Sequence, residues 1–233
     1  MDEPYLNAAL IVMGYLVGSL PMGVIMARLT GGTDPRTVGS GRTGGTNVLR
    51  AMGWPRAIVV AALDLAKGAF PILVARWLEA PVEIQALAGL ATVVGSWKSV
   101  FLRFHGGRGV ATGVGGMLVV SPLICLLAAP VFFIVVGITC YVSLGSILVA
   151  ATGAGLAVIF VALDELDAGW LIYILPGAAL IWIAHRDNIQ RLLNGTERKF
   201  DPRDRRATPA PGSTATPAPG ETPPEDSPPP ADG

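Results

Sequence analysis

Apolar residues run in long blocks at about 5–27, 56–78 and 84–97, then almost without interruption from 110 to 163, and again at about 168–184. A helix needs about 20 consecutive apolar residues to cross a bilayer, so blocks of this length predict membrane helices. The block at 110–163 is too long for one crossing. About 55 residues at roughly 20 per crossing makes three short helices. Breaks are expected near Ser121-Pro122 and Ser143-Leu144-Gly145-Ser146, because proline and Gly/Ser pairs punctuate helices. The segments at 84–97 and 110–120 are shorter than a full span and are expected to be half-buried or re-entrant, shielded by neighbouring helices. The pattern predicts an all-α polytopic membrane protein, a seven-helix bundle with short or half-spanning helices. There is no convincing internal repeat.

Composition agrees with that reading. A hydrophobic fraction of 52%, 15% charged residues and a mean hydropathy of +0.55 are too apolar for an ordinary soluble domain. The zero net charge hides a segregation of sign along the chain. Arg28, Arg36, Arg42, Arg50 and Arg56 face a single acid, Asp34, which places that connection in the cytoplasm; Glu79 and Glu83 mark the next one as external. Lys98, Arg103 and Arg108 return the chain to the cytoplasm, Asp164, Glu165 and Asp167 form an external loop, and the stretch from His185 onward is basic again. Asp2 and Glu3 precede the first apolar block and Arg28 follows it, so the block reads as a retained helix with an external N-terminus rather than a signal peptide. The expected topology therefore has the C-terminus and the glycine-rich loops in the cytoplasm.

Two regions are expected: a membrane-embedded domain over 1–200 and a tail over 201–233. From about Ala207 the tail is Pro, Ala, Thr, Ser, Gly and acids, a composition that cannot build a packed core and predicts cytoplasmic disorder. Cys125 and Cys140 lie in apolar sequence and read as packing residues. If one helix carried both, fifteen positions would hold them roughly 22 Å apart, beyond disulfide reach. The basic residues are scattered through membrane-flanking loops, which argues against nucleic-acid binding.

Candidate chemistry sits in three polar clusters at helix ends. The first is Gly39-Ser40-Gly41-Arg42-Thr43-Gly44-Gly45-Thr46-Asn47, the second Phe104-His105-Gly106-Gly107-Arg108-Gly109, the third His185-Arg186-Asp187-Asn188. Glycine lets backbone N–H groups approach a phosphate closely, and arginine adds charge-assisted hydrogen bonds. Any single loop of this kind reads equally well as a turn with positive-inside arginines; three together suggest one composite anion site. A helix starting after Gly45 would aim its N-terminal N–H groups into the first loop. On it Asn47 and Arg50, and Thr46 and Arg50, share a face. Gly39-x-Gly41-x-x-Gly44 matches a dinucleotide fingerprint formally, but the flanks are membrane helices and not a βαβ unit. The second loop lacks the Gly-Lys-Ser/Thr ending of a phosphate-binding P-loop. Asp64 and Lys67, three apart inside an apolar helix, either neutralise each other or leave Lys67 to hold a loop or a substrate anion. His185 and Asn188 are expected to face one cavity. No metal site is expected, since there is neither a second histidine at ligand spacing nor a cysteine pair.

Five ordered motifs, Gly18-Ser19-Leu20-Pro21-Met22-Gly23, Gly39-Ser40-Gly41 through Thr46-Asn47-Val48-Leu49-Arg50, Asp64-Leu65-Ala66-Lys67-Gly68, Phe104-His105-Gly106-Gly107-Arg108-Gly109-Val110-Ala111-Thr112 and His185-Arg186-Asp187-Asn188-Ile189, resemble the bacterial acyl-phosphate:glycerol-3-phosphate acyltransferases. The resemblance covers about residues 5–200. It implies a seven-helix enzyme of phospholipid synthesis in the bacterial cytoplasmic (inner) membrane, with its site on the cytoplasmic side. It also implies acyl transfer from acyl phosphate to the 1-hydroxyl of sn-glycerol 3-phosphate, giving lysophosphatidic acid and inorganic phosphate. No cofactor and no obligate protein partner are implied beyond the two substrates and membrane lipid. By the same resemblance Ser40, Asn47 and Arg50, the Gly106-Gly107-Arg108-Gly109 loop, and His185 with Asn188 carry the site. Gly39, Gly41, Arg42, Thr46 and Lys67 join them as candidate phosphate ligands. Ser40, His185 and Asn188 are the candidate catalytic residues, with Ser40 placing a phosphate or carbonyl oxygen and His185 orienting or deprotonating the hydroxyl. Two departures stand out: Arg108 where the family usually has lysine, and Gly95-Ser96 where it usually has Gly-His.

A secondary transporter of a phosphorylated anion is the alternative, because broken helices beside anion-binding glycines occur there too. A structural membrane scaffold would leave three convergent polar loops without a purpose.

Overall fold

The structure is a computed structural model and describes residues 3–201. The tail expected beyond residue 201 lies outside the described residues. The described residues hold ten α-helices and three short 3-10 turns joined by loops, with no strand among them. The helices are α1 (Glu3–Ser19), α2 (Met22–Thr30), α3 (Gly45–Met52), α4 (Trp54–Trp77), α5 (Val82–Trp97), α6 (Val110–Val120), α7 (Pro122–Thr139), α8 (Val142–Ala162), α9 (Leu171–Ala184) and α10 (Arg186–Leu193).

Length and apolarity qualify α4, α7 and α8 as membrane crossings on their own. The bent pairs α1–α2 and α9–α10 raise the number to at most five. The remaining apolar helices are the short ones: α5 with 16 residues is about 24 Å long, and α6 with 11 is about 16 Å. Their shortness matches the expectation from the sequence, and so does their shielding. Helix α5 is the centre of the bundle, packed against α1, α4, α6 and α9. Along α1, Gly14 and Gly18 lie directly on the carbonyls of Ala88 and Thr92 of α5, so close that a Cβ at either position would collide with backbone. The main core joins Ile72 of α4, Ala86 and Val93 of α5, Ile124 of α7, Ala157 of α8 and Tyr173 and Ile174 of α9. Helix α7 contributes little to it; Phe133 is 70% and Ile138 79% exposed, an apolar face suited to a bilayer and costly in water.

Two boundaries differ from the sequence reading. The first apolar block is not one helix: it breaks at Leu20-Pro21 and turns by 47° into α2. Proline lacks the N–H that would continue α1, and at the break the Leu20 carbonyl accepts from the Met22 N–H at 3.1 Å and from Lys67 Nζ at 3.0 Å. Lys67 also pairs with Asp64 at 2.7 Å. The second break in the 110–163 run falls at Cys140-Tyr141, ahead of the Gly/Ser group; Cys140 closes α7 in the left-handed region at φ 60°. Ser143, Gly145 and Ser146 instead sit buried in the first turns of α8. The first break falls where expected, Ser121 capping α7 through its hydroxyl, which accepts from the Ile124 N–H. Cys125 lies inside α7 and Cys140 at its end, and both are free thiols.

Polar and acidic loops separate to opposite ends. At one end Arg76 of α4 lies 5.8 Å over the Trp170 ring and Gly169 packs on Val82, which gathers the acidic connections after α4 and α8. The glycine-rich loops collect at the other.

Candidate active site

Asn47 organises the first loop. It is buried at the start of α3, its amide nitrogen within hydrogen-bond reach of the Pro35, Val38 and Arg42 carbonyls, while Oδ1 accepts from the Ser40 N–H at 3.2 Å. One side chain thus folds residues 35–42 around itself. Gly39 has φ +56° and presses on Asn47 Oδ1, leaving no room for a Cβ. Helix α3 starts at Gly45, as expected, and docks through Val48 and Met52 against Ala27 of α2 and Ala57 and Val60 of α4.

The second loop is pinned to the C-terminus of α5: the Gly106 N–H donates to Trp97 O at 3.0 Å and the Gly107 N–H to Ser96 O at 2.8 Å. Gly109 then opens α6 at φ +75°. Arg42 ties the clusters together, reaching Gly106 O at 3.5 Å and Asp187 at 3.8 Å. The three polar clusters read from the sequence therefore meet in space.

Between them lies a cavity of about 170 Å³, lined by Gly39, Ser40, Arg42, Arg50, Arg108, Asp187, Asn188, Arg191, Glu197 and Arg198. Five guanidinium groups face two carboxylates, so the wall is cationic. Burial, and then the charge of Arg42, pull the Arg108 guanidinium down to about 10, which leaves it protonated at neutral pH. Its Nε is buried without a hydrogen-bond partner, as is Oδ1 of Asn188. Buried polar atoms are nearly always paired, so two such atoms in one cavity wall make it the candidate ligand site.

Of the residues expected at the site, Gly39, Ser40, Arg42, Arg50, Arg108 and Asn188 line this cavity. Gly41, Thr46, Asn47, Gly106, Gly107 and Gly109 build its loops without lining it. The expected cradle of backbone N–H groups is not formed by Ser40, Gly41, Gly106 or Gly107, whose N–H groups are spent on Asn47, Val38, Trp97 and Ser96. Lys67 is engaged by Asp64 and the Leu20 carbonyl and does not line the cavity. His185, the residue joining α9 to α10, does not line it either. The ring is 2% exposed, and Nδ1 donates to Ile181 O at 2.7 Å, which leaves Nε2 as the accepting nitrogen. Burial, and after it the charge of Arg108, pull this imidazole down to about 4, so it is neutral.

Three lining residues escaped the sequence reading: Arg191, Glu197 and Arg198. The Glu197 carboxylate accepts from Ser143 Oγ at 2.7 Å, Asn188 Nδ2 at 2.6 Å and Arg191 Nε at 2.8 Å. Burial works to raise its pKa, and these hydrogen bonds prevail and hold it below the usual carboxylate range. The missed signal was in α10, where Asp187, Asn188 and Arg191 share a face at helical spacing.

A second cavity, apolar and about 270 Å³, extends from this end of the bundle between α5, α6, α7, α8 and α9. Val110, two residues beyond Arg108, and Ile181, whose carbonyl holds His185, both line it.

The family model described as glycerol-3-phosphate acyltransferase matches residues 8–195. Glycerol-3-phosphate acyltransferase 3 of Dehalococcoides mccartyi is 39% identical over 207 residues, covering 84% of this chain and 96% of the relative. Glycerol-3-phosphate acyltransferase of Thermus thermophilus is 43% identical over 194 residues, covering 83% and 94%. Among solved structures, the glycerol 3-phosphate form of the integral membrane glycerol 3-phosphate acyltransferase PlsY superposes with a TM-score of 0.76 at 36% identity, over 84% of this chain and 96% of that one. Its lysophosphatidic acid form superposes with a TM-score of 0.74 at 33% identity, over the same shares.

Proposed function

The chain belongs to the glycerol-3-phosphate acyltransferase family of multi-pass membrane enzymes, and we propose that it moves a fatty acyl group from acyl phosphate directly onto the 1-hydroxyl of sn-glycerol 3-phosphate. The products are lysophosphatidic acid and inorganic phosphate. The observation that carries this reading is the pair of unpartnered buried atoms in the cationic cavity, Arg108 Nε and Asn188 Oδ1. One is a charged donor and the other an acceptor. A phosphate oxygen satisfies the first and a hydroxyl group the second, and glycerol 3-phosphate carries both.

The donor is already activated, so the protein has to align two anions and stabilise charge as it moves. Arg42, Arg50 and Arg108 take phosphate oxygens. Asn188 Oδ1 accepts from the glycerol part, and the Ser40 hydroxyl donates to a phosphate or carbonyl oxygen. The hydroxyl oxygen attacks the acyl carbon, the bond from that carbon to the phosphate oxygen breaks, and phosphate leaves with its electron pair. The hydroxyl proton goes to the departing phosphate, because the neutral His185 ring lies behind the cavity wall and not on it. His185 then acts by fixing the α9–α10 junction that carries Asn188. The adjoining apolar cavity holds the acyl chain. The transporter alternative has less support: the cationic cavity lies at one end of the bundle, and the charged pair inside α4 is engaged within the fold, Lys67 with Asp64 and the Leu20 carbonyl.

The test is incubation of purified protein with palmitoyl phosphate and labelled glycerol 3-phosphate. Labelled lysophosphatidic acid is expected, palmitoyl-coenzyme A failing to replace the donor efficiently. Equal turnover from the coenzyme A thioester would reject the donor, and an acyl adduct on Ser40 in quenched enzyme would replace direct transfer by a two-step path.

A further inference from the structure

We propose that Gly153 of α8 and Gly177 of α9 set the bore of the apolar cavity, and so decide which acyl chains the enzyme accepts. The inference rests on the acyl-phosphate reading above. The cavity runs alongside α6 from Val110 to Met117 and alongside α9 from Ile181 to Tyr173, seven and eight residues, or about 10–12 Å. Its site end lies beside Arg108 and His185. At the far end the Tyr173 hydroxyl is held on Gly113 O at 2.6 Å, which keeps that large ring in a fixed place.

What keeps the space open is the lack of side chains on two facing helices. Both Gly153 and Gly177 line the cavity, and a Cβ added at either would meet no atom within 4 Å. Neither glycine is required by its backbone, since both lie inside helices and neither has positive φ. Inside a helix glycine is less favourable than alanine, and these two open positions retain it without any need of the backbone. Close contacts explain other glycines of the bundle, such as Gly68 on Thr112 O and Gly115 on Leu65 O. Gly153 and Gly177 have no such contact, and the space they leave is apolar, its wall reaching Val110 and Ile181 beside the phosphate end.

A larger residue at either position projects into the cavity and shortens or narrows it. One methylene in an apolar pocket changes discrimination by roughly ten-fold or more. Gly153→Leu and Gly177→Leu are therefore expected to lower kcat/KM for palmitoyl phosphate relative to octanoyl phosphate by at least roughly ten-fold, with KM for glycerol 3-phosphate unchanged. Gly155→Leu is the control: it lies on the same helix, is exposed, and has equally open space around its Cβ position. Its ratio should match the wild type. An independent reading uses Cys125, a thiol in the cavity wall, in a Cys140→Ala background: lysophosphatidic acid with a palmitoyl chain should slow labelling of Cys125 by an apolar thiol reagent. That protection should be weaker in Gly153→Leu and Gly177→Leu. If both leucine variants keep the wild-type ratio, the cavity is a seat for bilayer tails and the proposal falls. If the wild type uses no acyl phosphate at all, the donor assignment fails, and Cys125 protection alone decides the cavity: no protection, or protection equal in the leucine variants, overturns it.

Discussion

Arg108 shows how a single residue joins fold to chemistry. Its neighbours Gly107 and Gly109 fix the loop, its guanidinium is largely desolvated, and its Nε has no protein partner. A phosphate bound there restores a charge-assisted hydrogen bond worth about 1.5–3 kcal/mol. Arg108→Ala and Arg50→Ala are each expected to lower kcat/KM for glycerol 3-phosphate by at least roughly ten-fold, measured by steady-state kinetics on well-folded protein. Arg108→Lys should recover part of the loss, because lysine keeps the charge but not the planar fork. Full activity in both alanine variants would return the loops to plain membrane-flanking turns. What the sequence made legible is position: Ser40, Arg42, Arg50, Arg108 and Asn188, singled out there, all line the cavity. Asn47 and His185, singled out with them as residues to touch substrate, are buried and do not line it. Which side chains touch the ligand and which hold the others depends on burial, and motif spacing does not encode burial.

At the scale of elements, the segment after α10 closes the site. Glu197 bridges from α10 to Ser143 at the start of α8, the Phe200 N–H donates to Cys140 O at 2.6 Å, and the Phe200 ring meets Trp54 edge-on at 6.3 Å. Three contacts on α7, α8 and α4 make this short stretch a clasp over the cationic cavity. Removing the carboxylate would leave the Arg191 cation and the Asn188 amide without their partner, a greater loss than the bond alone. Glu197→Ala is expected to lower the unfolding temperature in detergent and to raise KM for glycerol 3-phosphate. Ser143→Ala, which removes one neutral donor, should have the smaller effect on both. Equal stability of Glu197→Ala and wild type would mean that the clasp holds nothing. In the sequence the stretch Asn194-Gly195-Thr196-Glu197-Arg198-Lys199 looks like an ordinary solvated charge run. What makes it a clasp is partners more than fifty residues away, as Ser143 is from Glu197, beside the local Asn188 and Arg191. The helix breaks divide in the same way. Ser121-Pro122 is a local signal and was placed correctly, whereas α7 ends at Cys140 in the left-handed region, which no turn-forming residue type announces, and not at the Gly/Ser group three residues later.

For the whole molecule, charge segregation and contact geometry point to the same arrangement. The basic loops meet around one cavity, and the connections rich in Asp and Glu gather at the opposite end, beside Arg76 and Trp170. Hydropathy alone could predict an all-helical membrane bundle because every backbone polar group in a bilayer must be satisfied within the segment, which leaves few folds open. It could not predict how many helices cross, since the bent pairs and the short α5 and α6 are packed against neighbours and need no full span of their own. Which end faces the cytoplasm follows only from the positive-inside bias, and it determines which pool of glycerol 3-phosphate the enzyme meets. With cationic loops inside, single cysteines placed at Asp164 or Glu165, in a background lacking Cys125 and Cys140, should react with a membrane-impermeant maleimide added to intact cells. A cysteine at Arg186, at the cationic end, should react only after the membrane is opened. The reverse pattern would put the cavity on the outer face, where the substrate would have to arrive from outside the cell, and would overturn both the topology and the proposed place of the reaction.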